Sequence, residues 1–255
     1  MNDLLAGLDT ALLLRTLVGV AVLVGAVMVL LRLAGVGFGA RPVTAIARAI
    51  GQLALASLIL SGALTLPWTI AAVLAFMLTM ASWTSAGRLG SMPGGAQAAI
   101  LGIAAGGALA VGAVFALGMM PLEPRNVIAV GGIVIGNAMT ASTLAGRHFR
   151  TLAHHRSGEV EAWWSLGAPS PVAFAPVVQE AVRDAMIPNL DQTRSTGVVT
   201  LPGAFIGALF GGASPLEAAR FQVVVLTAIM LAQAVTAIVV TRRLSRMGEL
   251  PAGEE

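Results

Sequence analysis

The chain has 255 residues, of which 57% are hydrophobic and 11% charged, and a net charge of +3. A soluble globular domain is about 25% charged, so this chain cannot cover itself with polar surface and reads as an integral membrane protein. It has no cysteine and no lysine, and all fifteen basic residues are arginine. This excludes disulfides, thiolate metal sites, Schiff-base chemistry and a standard P-loop, whose lysine binds nucleotide phosphates.

Asp3 and Asp9 precede the first apolar run and Arg15 lies inside it, the opposite of the positive start of a secretory signal. About 20 mainly apolar residues cross the hydrocarbon core as a helix. The first run predicts a span at 11–31. No charge occurs between Arg48 and Arg88, too long for one helix and right for two, 49–66 and 68–85, with Pro67 at the bend. Further spans are predicted at 96–118, 126–146, 195–216 and 221–241. Barrel strands are half this length and alternate in polarity. The expected fold is therefore all-α, a polytopic bundle of about seven spans forming a single transmembrane domain over 1–255.

Arginine placement sets the expected orientation. With the N-terminus outside, twelve of the fifteen arginines fall inside and only Arg15, Arg125 and Arg220 remain outside. The reading is N-out and C-in. The 147–194 connection then faces the cytoplasm, where its acids Glu159, Glu161, Glu180, Asp184 and Asp191 suit a soluble partner. Within it, Val177, Val178, Ala181, Val182 and Ala185 recur at helical spacing, predicting an amphipathic helix that Pro176 opens and Pro188 closes.

Small residues every fourth position let helix backbones approach. They occur at Gly132 and Gly136, at Gly102 and Gly106, and at Gly203, Gly207 and Gly211. The last set fits either packing within the chain or a dimer seam. Asn137, Gln52, Gln97 and Gln233 are amides inside predicted spans. Each needs a partner in hydrocarbon, so they read either as bonds between helices or as a substrate path. Met77, Met80, Met119, Met120 and Met139 suit apolar filling or soft ions. His148, His154 and His155 have poor chelate spacing and read as a solvated basic segment. No nucleophile–base set and no paired carboxylates occur in the spans, so no catalytic residues are assigned.

Glu161-Ala162-Trp163, followed after three residues by Gly167 and Ala168, resembles the cytoplasmic Glu-Ala-Ala-x-x-x-Gly stretch by which ABC importer permeases engage their ATPase. It departs from that pattern at Trp163 and in lacking a following Leu-Pro. Five blocks extend the likeness: Gly131–Met139, Ser165–Ala168, Arg183-Asp184-Ala185-Met186-Ile187-Pro188, Thr196–Gly203 and Gln222. Together with Arg48–Leu53, and over most of the chain, these resemble the FetB-type permeases. These are membrane subunits of a small ABC transporter implicated in bacterial iron export, with a plant relative associated with aluminium tolerance.

The resemblance implies a non-enzymatic permease in the inner (cytoplasmic) membrane, exporting iron or a related metal. It also implies a homodimer surrounded by lipid and a separate ATPase subunit that carries ATP and Mg. No cofactor is expected on this chain and no nucleic-acid partner. Glu161, Ala162, Gly167, Ala168, Arg183 and Asp184 are the expected coupling residues. Gln52, Asn137 and Met139 are the transferred candidates for the path, with no metal ligands assigned. A gradient-driven transporter would need buried ionisable residues, which are nearly absent here. A non-transporting scaffold would tolerate replacement of Asn137.

Overall fold

The computed structural model describes residues 10–63 and 67–251. Among these residues the structure is all-helical, apart from an isolated bridge between Thr196 and Thr200. The expected features at Asp3, Asp9 and 64–66 lie outside the described residues. The chain divides into two compact units, 1–65 and 66–255.

The first unit holds α1 (Thr10–Leu33) and α2 (Arg41–Ala63). Between them, Gly35 adopts φ 72°, and the Gly35 and Val36 amides donate to the carbonyls of Arg32 and Leu31. These bonds close the last turn of α1 in the manner of a Schellman cap. At 23 residues α2 has the length of a crossing.

The second unit holds α3 (Pro67–Leu89), α4 (Gly95–Ala116), α5 (Pro124–His155), α6 (Ser157–Ser165), α7 (Ser170–Ala173), α8 (Ala175–Ser195), α9 (Gly203–Phe210) and α10 (Pro215–Leu244). Among the described residues, five helices are long and apolar enough to cross a membrane. They are Leu14–Leu33 of α1, Trp68–Leu89 of α3, and α4, α5 and α10 entire.

Contacts fix the directions within the second unit. Leu74 lies over Gly131, Ser85 shares a 2.8 Å hydrogen bond with Ser142, and Leu89 lies over Gly146, so α3 runs parallel to α5. The α10 start is tied to the α4–α5 link by Arg220, which donates to the Met119 carbonyl at 3.2 Å. The ends of α3, α5 and α10 and the start of α4 meet in one apolar cluster that includes Leu89, Ala98, Phe149 and Leu244. A second cluster joins Ile103, Val134, Ala138 and Val225 nearer the other end.

The tightest seam lies between α4 and α10. A side chain at Gly102 would stand 3.1 Å from the Thr236 carbonyl oxygen, and one at Gly106 would stand 2.5 Å from that of Ala232. The bare backbones meet here, and Thr236 Oγ1 donates to the Gly102 carbonyl at 3.0 Å. Gly132 meets only the tip of Met77 at 3.0 Å. Gly136, Gly203 and Gly207 have nothing within 4 Å of where a Cβ would sit, and Gly211 meets only its own turn. The close approach expected of small residues therefore falls on Gly102 and Gly106.

Two expected elements are corrected. The span at 195–216 is not one helix. Ser195 ends α8, a turn runs through Thr196–Thr200, and α9 covers only eight residues before Gly211 and Gly212 end it. Eight residues rise about 12 Å, far short of a crossing. Pro202 sets this start as the residue before the first helical one, and φ 91° at Gly212 gives the left-handed residue that stops a helix. The amphipathic helix also does not close at Pro188, which sits inside α8. The proline loses one backbone hydrogen bond, to the carbonyl of Asp184, and buried contacts on both sides carry the helix through.

The 147–194 segment is therefore mixed in character. Arg147–His155 is the last part of α5. From its start near Phe149, α8 runs antiparallel to α5 and α10, packing Ala185 with Ala145 and Ala237. The return toward the start of α10 is made by the end of α8, the turn and α9 in sequence.

Candidate functional site

The buried amides gather where α8 reaches the middle of the bundle. On α5, Asn137 Nδ2 donates to the Ile133 carbonyl at 2.9 Å, and its Oδ1 accepts from Gln233 Nε2 at 3.3 Å. Gln233 Oε1 accepts from Asn189 Nδ2 at 2.7 Å, and Asn189 Oδ1 accepts from Thr193 Oγ1 at 3.1 Å. One chain of hydrogen bonds thus ties α5, α10 and α8 together. Unpaired, each amide would cost several kcal/mol in an apolar interior. Paired, such contacts in membrane bundles contribute about 0.6 kcal/mol on average.

Beside this network lies a cavity of about 230 Å³, bounded by Asn137, Asn189, Gln192, Gln222, Pro202 and apolar residues of α5, α9 and α10. It opens where the return crossing is broken, between the last turn of α8 and the first of α9. None of its lining residues is charged. Gln222 is only 6% exposed, and its Oε1 has no hydrogen-bond partner among the described residues. A buried acceptor without a protein donor is unusual, and it gives a mostly apolar cavity one polar group able to accept a hydrogen bond. No group of three or more His, Cys, Asp or Glu side chains that could hold a metal occurs among the described residues.

Asn137, one of the expected path residues, lines this cavity. Met139, two residues on and so turned to the other side of α5, is partly buried against the apolar core. Gln52 is exposed on α2 in the first unit. Asn189 and Gln192 were hidden by the expected helix end at Pro188. Gln222 stood in the family-like blocks but without an assigned role.

The expected coupling residues fall in two places. Glu161 and Ala162 are exposed on α6. Gly167 ends that helix with φ 84°, its amide donating to the Trp164 carbonyl at 2.9 Å and that of Ala168 to Trp163 at 3.0 Å. The corner is firmly seated. Val160 is buried, Trp164 stands edge-on to Phe174 at 5.6 Å, and Phe174 lies 5.4 Å from Phe149 of α5. Outward it presents Leu166, 81% exposed, with Trp163 and Val172. Arg156 pairs with Glu180 of α8 and with Glu159 at 3.8 Å, bracing α6 against α8. Arg183 and Asp184 lie on α8 itself, the first exposed and the second half-buried.

Residues 14–247 match the family described as Uncharacterised protein family (UPF0014). The chain is 36% identical to the UPF0014 membrane protein STAR2 of rice (Oryza sativa subsp. japonica) over 77% of this chain and 70% of that one. It is 34% identical to the Protein ALUMINUM SENSITIVE 3 of Arabidopsis thaliana, over 68% of this chain and 63% of that one. It is 27% identical to the Probable iron export permease protein FetB of Escherichia coli (strain K12), over 59% and 58%. No solved structure matches. The family match covers most of the chain and the rice relative agrees with it: this protein belongs to the UPF0014 family of membrane proteins.

Proposed function

We propose that the chain is the permease subunit of an ABC-type exporter of iron or a related metal in the inner membrane. It works as a homodimer with a separate ATPase subunit that binds ATP and Mg. The observation that carries this reading is α8. A single helix starts beside the exposed, well-seated α6–α7 corner and ends on the amide-lined cavity. The name of the FetB relative supplies the substrate class.

Charge supports a cytoplasmic corner. The end of the second unit that holds it carries Arg88, Arg150, Arg156, Arg242, Arg243 and Arg246, whereas Arg125 and Arg220 lie at the other end and Arg194, counted on the inner side from sequence, is carried toward that end by α8; the balance still has the bias expected of a cytoplasmic face. Glu161, Ala162, Leu166, Gly167 and Ala168 meet the ATPase, and the braced Arg156–Glu180 pair carries its motion into α8. The cavity holds no ionisable side chain, which disfavours a gradient-driven transporter.

The test is co-purification in mild detergent with a lysine-bearing P-loop ATPase, followed by Gly167→Trp. This substitution is expected to leave ATP hydrolysis running while metal transport stops, and Gly167→Asn, which tolerates the left-handed conformation, is expected to retain transport. A pure preparation with no ATPase, or full coupling in Gly167→Trp, overturns the proposal.

A further inference from the structure

We propose that the cavity recognises its cargo cation through the ion's hydration shell, with Gln222 accepting a hydrogen bond from metal-bound water rather than ligating the metal. This rests on the reading of the chain as a metal permease. Three observations carry it.

The first is the unmatched acceptor. Gln222 Oε1 is buried with no donor among the described residues, so a group that binds to it has to bring an O–H or N–H. Water held by a cation is such a partner and a strong one, because the ion polarises its O–H bonds.

The second is the donor set. Removing water from a hard divalent cation takes carboxylate oxygens in place of the shell, and softer ions take imidazole or thiolate. The cavity lining is uncharged and contains none of these. Asn137, Asn189 and Gln233 are held by one another and by Ile133 and Thr193, so they cannot swing inward to replace them. Gln192, in the last turn of α8, also lines the cavity. Its backbone carbonyl already accepts from Ser195 Oγ and Thr196 Oγ1, so its exposed side-chain amide is the group it offers to the cavity.

The third is size. Six waters at about 30 Å³ each occupy about 180 Å³, within the cavity's volume of about 230 Å³.

The experiment uses the full chain in lipid nanodiscs and two probes. Mn(II) binding is measured by equilibrium dialysis, in competition with hexaamminecobalt(III), whose ligands do not exchange and which therefore binds only through its outer shell. Displacement of Mn(II) by the cobalt complex is expected. Gln222→Met is expected to weaken both probes about tenfold, the scale of one lost hydrogen bond. Gln192→Ala, at an exposed lining position that leaves folding intact, is expected to weaken both about threefold.

Mn(II) that the cobalt complex does not displace overturns the inference, as does failure of both probes to bind or wild-type binding in both variants. ATP-driven Mn(II) transport in vesicles containing the co-purified ATPase reads the permease assignment separately. Transport without cobalt competition removes the hydration-shell inference alone. Cobalt-complex binding without ATP-driven transport removes the permease assignment and the cargo role, leaving only outer-shell cation binding at Gln222.

Discussion

The α4–α10 seam and the broken return formed by α8, the turn and α9 use the same kind of residue for different ends. Both are rich in glycine. In the seam the glycines touch backbone. In the break, nothing lies within 4 Å of where a Cβ would sit on Gly203 or Gly207, and the polar side chains nearby border an open cavity. A small residue therefore signals close packing only where a partner backbone comes to meet it. The first region is closely packed, and the second leaves an open space that the proposed transport would use.

This contrast can be broken most sharply at Gly106. Gly106→Val places its Cβ 2.5 Å from the Ala232 carbonyl oxygen, which cannot give way as a flexible side chain would. The expected cost is about 3 kcal/mol or more, read as loss of folded protein in a thermal unfolding assay in detergent. Next comes Gln233→Leu, which leaves the Asn189 donor and the Asn137 acceptor without their partner. A loss of about 1–2 kcal/mol is expected in the same assay.

Gly167→Ala forces a Cβ onto a residue at φ 84° with open space around it, so only backbone strain acts, about 1 kcal/mol. Smallest is Gly207→Leu. With nothing within 4 Å, unfolding of the protomer should shift by no more than about 0.5 kcal/mol. If the bare α9 face is a dimer seam, size-exclusion chromatography shows the variant as a monomer. A destabilisation comparable to Gly106→Val would erase the distinction between the two regions.

Most of the bundle was legible because arginines and turn residues bracket apolar runs of the right length. Thus α3, α4, α5 and α10 appear close to where charge gaps predict them. The broken return was not legible for a physical reason: hydropathy records what lipid or protein can surround, not whether the backbone is continuous. Thr200-Leu201-Pro202 and Gly211-Gly212 interrupt an apolar run without making it polar. Pro188 misled in the opposite direction, since buried contacts of α8 outweigh the loss of one hydrogen bond.

At the candidate site, Asn137 stood out as an amide deep in an apolar span. Asn189 and Gln192 looked like loop residues, and Gln222 like a residue at a span end. Their shared cavity arises only when α8 folds back beside α10. The glycine at 167 could be read from spacing. Its role as the left-handed residue closing α6 needed the backbone.

Pro188 has a mechanical consequence. Glu180, gripped by Arg156 near the arginine-rich end, and Asn189, bonded to Gln233, lie about 14 Å apart along α8. A rigid rod of that length turning by about 5° moves its far end by about 1 Å, and the 2.7 Å amide contact at its tip would stretch past hydrogen-bonding range. The proline sits one residue before that tip, where the ladder already lacks a rung. Any bend of α8 is expected at this missing rung, beside the amide contact and the cavity it borders.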